Sequence, residues 1–162
     1  MPLRSDWSGE TCPIARALDV LGDPWTLLIL REAFSGSGRF EEFRARLGAA
    51  DNILTNRLRR LVEEGLLARV PIAPGARRHL YRLTAAGAET LPILNAYALW
   101  GARHTQGGES GDAIGIQCTT CGATATSADT CTRCGSMLTA RTTAWARPDV
   151  ADGGFHALAG PV

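Results

Sequence analysis

Between residues 12 and 104 apolar positions recur at helical spacing, interrupted by two short runs of strand character. CPIARALDVLG (12–22) predicts a first helix. Cys12 stands at its cap, Pro13 at the first helical position, and Ile14, Ala17, Leu18 and Leu21 share one face before Gly22 stops it. Asp23-Pro24 opens a second helix, WTLLILREAF, apolar almost all round and therefore buried. SGSG breaks it. RFEEFRARL (39–47) predicts a third, short helix with Phe40, Phe43 and Leu47 inward. In DNILTNRLRRLVEEG (51–65), Leu54, Leu58, Leu61 and Val62 make one stripe, Asp51 or Asn52 can cap the start, and Gly65 ends the helix. LLARVPI (66–72) and HLYRLT (79–84) predict two strands joined by the Gly-, Pro- and Arg-rich turn APGARR. Thr84 caps a last long helix, residues 85–104, with Leu91, Leu94, Tyr97, Ala98 and Trp100 on or near one face and a kink at Pro92.

This is a mainly α fold with a small β hairpin (α+β), and its order is that of a winged helix-turn-helix. The fourth helix takes the recognition position. Asn52, Thr55, Asn56, Arg59 and Arg60 lie off its apolar stripe, and none is acidic. Asn and Thr suit base edges, and the arginine fork pairs bidentately with a base edge or a phosphate. Arg77 and Arg78 fall at the hairpin tip, where a wing crosses the backbone or enters the minor groove of DNA.

Composition changes this picture only in its distribution. A net charge of +1 makes no case for nucleic acid, but up to His104 there are 14 arginines against 11 acids, and beyond it 3 against 5. The N-terminus has no apolar signal core, and the longest apolar run, 27–30, is far too short for a membrane. A cytoplasmic protein is expected, without membrane partners, so its five cysteines should not form structural disulfides. Catalysis finds no support: His79, His104 and His156 are scattered, and no Gly-rich phosphate loop follows a strand.

Past residue 104 the pattern changes. A polar, Gly-rich linker (105–113) leads to Cys118-Thr-Thr-Cys121 and, nine residues on, Cys131-Thr-Arg-Cys134, each pair followed by glycine. Two such knuckles complete a tetrahedral site of four sulfurs, so residues 114–146 are expected to form a zinc ribbon, with rubredoxin-like iron and a reversible disulfide pair as rivals. A closed four-cysteine shell leaves no position for substrate, and so few large apolar groups could hardly fold without metal. The ribbon could pack on the winged helix, widen a dimer, or offer Trp145 and Phe155 to a partner. Residues 147–162 show no periodicity and are expected to lack fixed structure.

Residues 12–104 resemble the HxlR family of bacterial transcriptional regulators, relatives of the MarR group. The resemblance rests on C-P-I-A-R-A-L-D-V-L-G-D-P-W-T-L-L-I-L-R-E (12–32), R-F-E-E-F (39–43), N-I-L-T-N-R-L-R-R-L-V-E-E-G-L-L (52–67), Y-R-L-T-A-A-G (81–87) and L-P-I-L-N-A-Y-A-L-W-G (91–101), in the family's order. It implies a homodimer through the first and last helices, making 1–104 both DNA-binding and dimerisation domain. Two recognition helices would then enter successive major grooves of a palindromic operator in double-stranded DNA. Several such regulators sense oxidants or electrophiles through a cysteine in the N-terminal region. Cys12 matches that position, at a helix start with Arg16 one turn on, where thiolate is favoured. A small half-buried thiol is the plainer reading. Other members answer to small molecules at the dimer interface. The extension 105–162 departs from many members, and a winged-helix and zinc-ribbon interaction module without DNA binding stands as the alternative.

Overall fold

Leu54, Leu58 and Leu61 turn inward against the second helix, and the N-terminal part is built round that packing. The computed structural model describes residues 6–105 and 113–162, so most of the expected linker lies outside the described residues. Four helices come first: α1 (Pro13–Leu21), α2 (Pro24–Phe34), α3 (Phe40–Leu47) and α4 (Asp51–Glu63). The hairpin β1 (Leu67–Pro71) and β2 (His79–Leu83) follows, antiparallel with Leu67 opposite Leu83 and Pro71 opposite His79. Then come α5 (Ala85–Ala88) and α6 (Leu91–His104).

Ile29, Leu30 and Phe34 of α2 meet Phe43, the α4 leucines, Leu67, Leu83 and Leu91 in an interior closed to water. Each such side chain contributes ~1.5–3 kcal/mol by leaving water. Local chemistry sets the helix ends. The Asp23 carboxylate accepts from the Trp25 N–H (3.0 Å) to start α2, and Glu42 reaches back to accept from the N–H groups of Gly38 (2.7 Å) and Arg39 (2.9 Å).

Two boundaries differ from the sequence expectation. The cap of α4 is Ala50, which has no side-chain acceptor; Asp51 is already helical and faces Arg44 of α3 at 3.6 Å instead. The expected single helix over 85–104 is two, because proline lacks an N–H and its ring clashes with the carbonyl four residues back. Pro92 is therefore accommodated in the first turn of a new helix, with the break at residues 89–90.

The C-terminal part is an antiparallel sheet of β3 (Gly115–Cys118), β4 (Thr143–Ala146) and β5 (His156–Ala157), with β4 central. Ile116 sits opposite Trp145, which in turn pairs with His156. Residues 147–162, expected to lack fixed structure, are held in place. β5 joins the sheet, the Ala159 N–H donates to the Phe34 carbonyl (2.8 Å), and the Val162 N–H donates to the Leu83 carbonyl (3.0 Å). This order comes from one two-residue strand and single bonds to α2 and β2, which leave no periodic trace in sequence. Among the described residues no helix is long and apolar enough to cross a membrane.

Candidate nucleic-acid interface and metal centre

Asn52, Thr55, Asn56 and Arg59 share the exposed side of α4, opposite the buried leucines. At ~100° per residue, Arg60 lies roughly 80° round the helix from Asn52, and it does something else. Its Nη2 donates to the Asp19 carbonyl (2.6 Å) and lies 3.3 Å from the Asp19 carboxylate, while Nε faces Glu64 at 3.7 Å. Arg60, expected to grip a phosphate or a base edge, bridges α4 and α1 in this structure. Arg57, which pattern reading passed over, pairs with Asp23 at 2.7 Å. Two arginines therefore fix α4 to the α1–α2 corner, aiming its other face outward. Arg59 remains exposed, with Asn56 Oδ1 at 3.4 Å and Glu63 at 3.8 Å as its neighbours.

Arg77 and Arg78 are exposed at the end of the hairpin, after a turn closed by the Ala76 N–H to the Ala73 carbonyl (2.9 Å). Among the described residues neither has an acidic partner. A groove of about 890 Å³ between this wing and α3 is lined by Arg39, Arg69, Arg77 and Arg78 together with Glu41 and Glu42.

The four tail cysteines converge, their sulfurs all within 4.8 Å of one another. Two internally equivalent knuckles bring them there, each a tight hairpin closed by one bridge, Gln117 with Thr124 and Thr130 with Met137. In the first, the Cys118 N–H donates to Ala123 O (2.9 Å) and the Gly122 N–H to Cys118 O (2.8 Å). In the second, the Cys131 N–H donates to Ser136 O (2.8 Å) and the Gly135 N–H to Cys131 O (2.8 Å). Gly122 and Gly135 take φ of 73° and 74°, a left-handed turn that a Cβ would strain, so glycine after each pair is required by the hairpin.

Sulfur spacing tests the site for a metal. A tetrahedral ion with metal–sulfur bonds of ~2.3 Å separates its sulfurs by ~3.8 Å. Cys118 and Cys134 are 3.8 Å apart, and Cys121 and Cys131 3.7 Å. A disulfide needs ~2.05 Å, so the expected rival of paired disulfides is not what this geometry holds. The charges also ask for a cation. The Ser136 hydroxyl and N–H hold the Cys134 thiol down at about 6. At Cys121 the Ala123 N–H pulls the same way, but burial and the other three sulfurs push the thiol up to about 11. Four thiols of this kind cannot all ionise side by side without a positive ion between them. The donor set fits a thiophilic metal, with Cys118 and Cys131 buried and Cys134 at the surface.

The family described as HxlR-like helix-turn-helix matches residues 20–109. The chain belongs to that family. It is 43% identical over 135 residues to an uncharacterized HTH-type transcriptional regulator of Mycobacterium tuberculosis, covering 83% of this chain and 84% of the relative. That alignment is longer than the winged helix, so it runs on into the extension. A crystal structure of a protein described as a transcription factor shares 47% identity at a TM-score of 0.58, covering 60% of this chain and 68% of that one. The redox regulator HypR in its reduced form shares 29% identity at a TM-score of 0.54, covering 61% and 99%. The HxlR chain described here is thus a member of a family of transcriptional regulators, carrying a four-cysteine ribbon behind the winged helix.

Cys12 stands apart from the ribbon cysteines, exposed at the cap of α1. The Arg16 guanidinium lies 3.4 Å from the carbonyls of Glu10 and Thr11 beside it. No acid in the described residues neutralises that arginine. The half-buried thiol expected as the plainer reading is not seen. Sequence reading missed the residues joining the two domains: Glu32, Phe34 and Asn95 on the winged helix, and Arg147 on the ribbon side. Phe34 and Trp145 rings pack at 5.8 Å, so of the ribbon roles weighed, packing on the winged helix is the one observed. A charged residue inside the apolar run of α2 was the one available signal.

Proposed function

We propose that this HxlR protein is a homodimeric regulator that reads operator DNA with α4 and steadies it with the wing. One observation carries the reading: the face Asn52, Thr55, Asn56 is exposed, the first-turn acid Asp51 being drawn to Arg44, while Arg57 and Arg60 fix the same helix from behind. Asn and Thr reach base edges in the major groove, and Arg59, Arg77 and Arg78 meet phosphates. Two copies are needed to read a palindrome, with recognition helices ~34 Å apart. Support for pairing comes from apolar side chains left outside: Ile14 is 70% and Leu18 53% exposed on α1, and Tyr97 60% and Trp100 58% on α6. Leu94, expected on the same surface, belongs to the domain's own core. The resident metal is zinc, in a closed shell of Cys118, Cys121, Cys131 and Cys134 with no open position for chemistry.

The test is salt-dependent binding to a duplex from the region upstream of its own coding sequence, with sedimentation to give the oligomeric state. Salt-sensitive, sequence-selective binding by a dimer is expected. A protein that binds no duplex at any salt concentration, or stays monomeric at micromolar concentration, would leave the interaction-module alternative standing. A second reading, oxidant or electrophile sensing through Cys12, draws on its exposure at a helix start and on the similarity to a redox regulator. Mass-resolved alkylation of the zinc-loaded protein checks it: Cys12 should label first, and the reading fails if Cys12 labels last. A small-molecule effector remains the family's other route to the same switch.

A further inference from the structure

The ribbon is bonded into the interior of the winged helix at two places. On α6, Asn95 is wholly buried, and both ends of its amide are used by the other domain. Its Oδ1 accepts from the Trp145 indole N–H at 3.0 Å, and its Nδ2 donates to the Ala128 carbonyl at 2.8 Å. Ala128 lies in the turn between the two knuckles, and Trp145 on β4. On α2, Glu32 is 1% exposed and takes the Arg147 guanidinium bidentately, at 2.8 and 2.9 Å. Burial works against the Arg147 charge, yet the hydrogen bonds to Glu32 and Asp149 hold its pKa above the ordinary arginine value.

The sulfurs govern whether those groups are presented at all. Cys118 ends β3 and sits opposite Thr143 on β4, two residues before Trp145 and four before Arg147. Apart from Ile116, Leu138 and Trp145, the ribbon interior is alanine, threonine and cysteine, too little apolar area to hold that register unaided. Without its metal the ribbon would lose β4. Phe34, now fully buried, would lose the Trp145 ring that covers it, and Asn95 and Glu32 would lose their partners across the seam.

We propose that the four-cysteine centre is a metal-dependent latch on the DNA-binding domain, so that the regulator's effector is the thiophilic cation itself. Metal binding sets β4, β4 presents Trp145 and Arg147, and these hold α2 and α6. α2 packs against α4, the helix proposed to read DNA, and α6 carries the exposed face proposed to pair two copies. Occupancy at the sulfurs and affinity for DNA are then linked, each strengthening the other by the same factor. The second half of this coupling rests on the function proposed above; the first half does not.

The experiment uses the full-length protein loaded with zinc, then stripped with a strong chelator, then reloaded. Backbone hydrogen exchange in α2 and α6 is read in each state, with duplex binding alongside. Stripping should speed exchange in both helices about tenfold or more, and zinc should restore protection. Asn95→Ala with Glu32→Gln leaves the ribbon's own interior and cysteines intact. That variant should keep one zinc per chain yet show fast α2 and α6 exchange whether loaded or stripped. If stripping unfolds residues 113–146 while α2 and α6 exchange as before, the latch is refuted; a purified protein that binds no metal refutes it too. If exchange responds to zinc but no duplex binds in either state, the latch stands and the DNA reading falls.

Discussion

The winged helix and the ribbon close their interiors by different means. In the first, Ile29, Leu30, Phe34, Phe43, Leu54, Leu58 and Leu61 interdigitate, and stability comes from apolar area spread over many side chains. In the second, a short sheet and two hairpins surround four sulfurs, and a metal held there would concentrate stability at one point. A distributed interior loses a little stability with each side chain removed, whereas one centred on an ion would be present or absent with it. The two are not independent, because Phe34 and Trp145 belong to one continuous packed cluster.

The sharpest way to break the comparison is to take the metal. Structural zinc in small four-ligand sites contributes ~10–16 kcal/mol to folding at neutral pH, as much as the whole net stability of a small domain. Chelation, or Cys131→Ser, should therefore collapse the amide shift dispersion of residues 113–146 in an NMR spectrum. A ribbon that keeps its dispersion without metal would mean that its interior is self-sufficient and the contrast false.

Next in size is the matching injury to the winged helix. Phe43 is wholly buried between α2, α4 and the Tyr81 ring at 6.3 Å, on the winged-helix side of the seam. Phe43→Ala should cost ~3–5 kcal/mol, read from denaturant unfolding at saturating zinc. Zinc content should stay at one per chain. If the substitution releases metal, the two interiors behave as one.

These two regions were also legible to different degrees. Area-based folding leaves a periodic trace, so the stripe 54, 58, 61 and the buried character of 24–34 could be read directly, and the cysteine spacing named the four residues that converge. What escaped reading was polar and specific. Nothing periodic marks Arg60 as a bridge to α1, since only the position of Asp19 there decides it. Asn95 looks like one more surface amide until Trp145 and Ala128 arrive from 50 and 33 residues away. The segment 147–162 has no face of its own, and its order comes from Glu32, Phe34 and Leu83. Long-range single bonds are the part of a fold that a linear pattern does not encode.

A third test asks whether the DNA face is likewise divided between pattern and point contacts. Asn56→Ala should relax preference at particular base pairs by ~1–3 kcal/mol, seen as a flattened ranking across substituted duplexes. Arg77→Ala with Arg78→Ala should instead weaken all duplexes nearly alike and lower the log–log salt slope by ~0.9 for each phosphate no longer neutralised. A wing variant with unchanged salt dependence would remove the wing from the interface, and an unchanged ranking for Asn56→Ala would remove α4.

The smallest effect separates a local polar device from both interiors. Glu42 closes the start of α3 by accepting from the Gly38 and Arg39 N–H groups, and those two bonds, ahead of the Arg39 and Arg82 charges, hold its carboxyl below the ordinary 4.5. A carboxyl lowered in the folded state stabilises the fold above its unfolded value and loses that contribution as pH falls through the folded one. Glu42→Ala should therefore cost about 1 kcal/mol at pH 7, the usual worth of a helix-start acceptor, with most of the side chain open to water keeping the figure small. The difference in denaturant midpoint between variant and parent should stay level down to about pH 5 and shrink below that, as the parent protonates and loses the same bonds. Comparing variant and parent side by side at each pH cancels acid loss of metal from the ribbon, which the two share. A gap that widens in acid would mean that Glu42 is stabilised in its protonated form, and the helix-start reading would have to be abandoned.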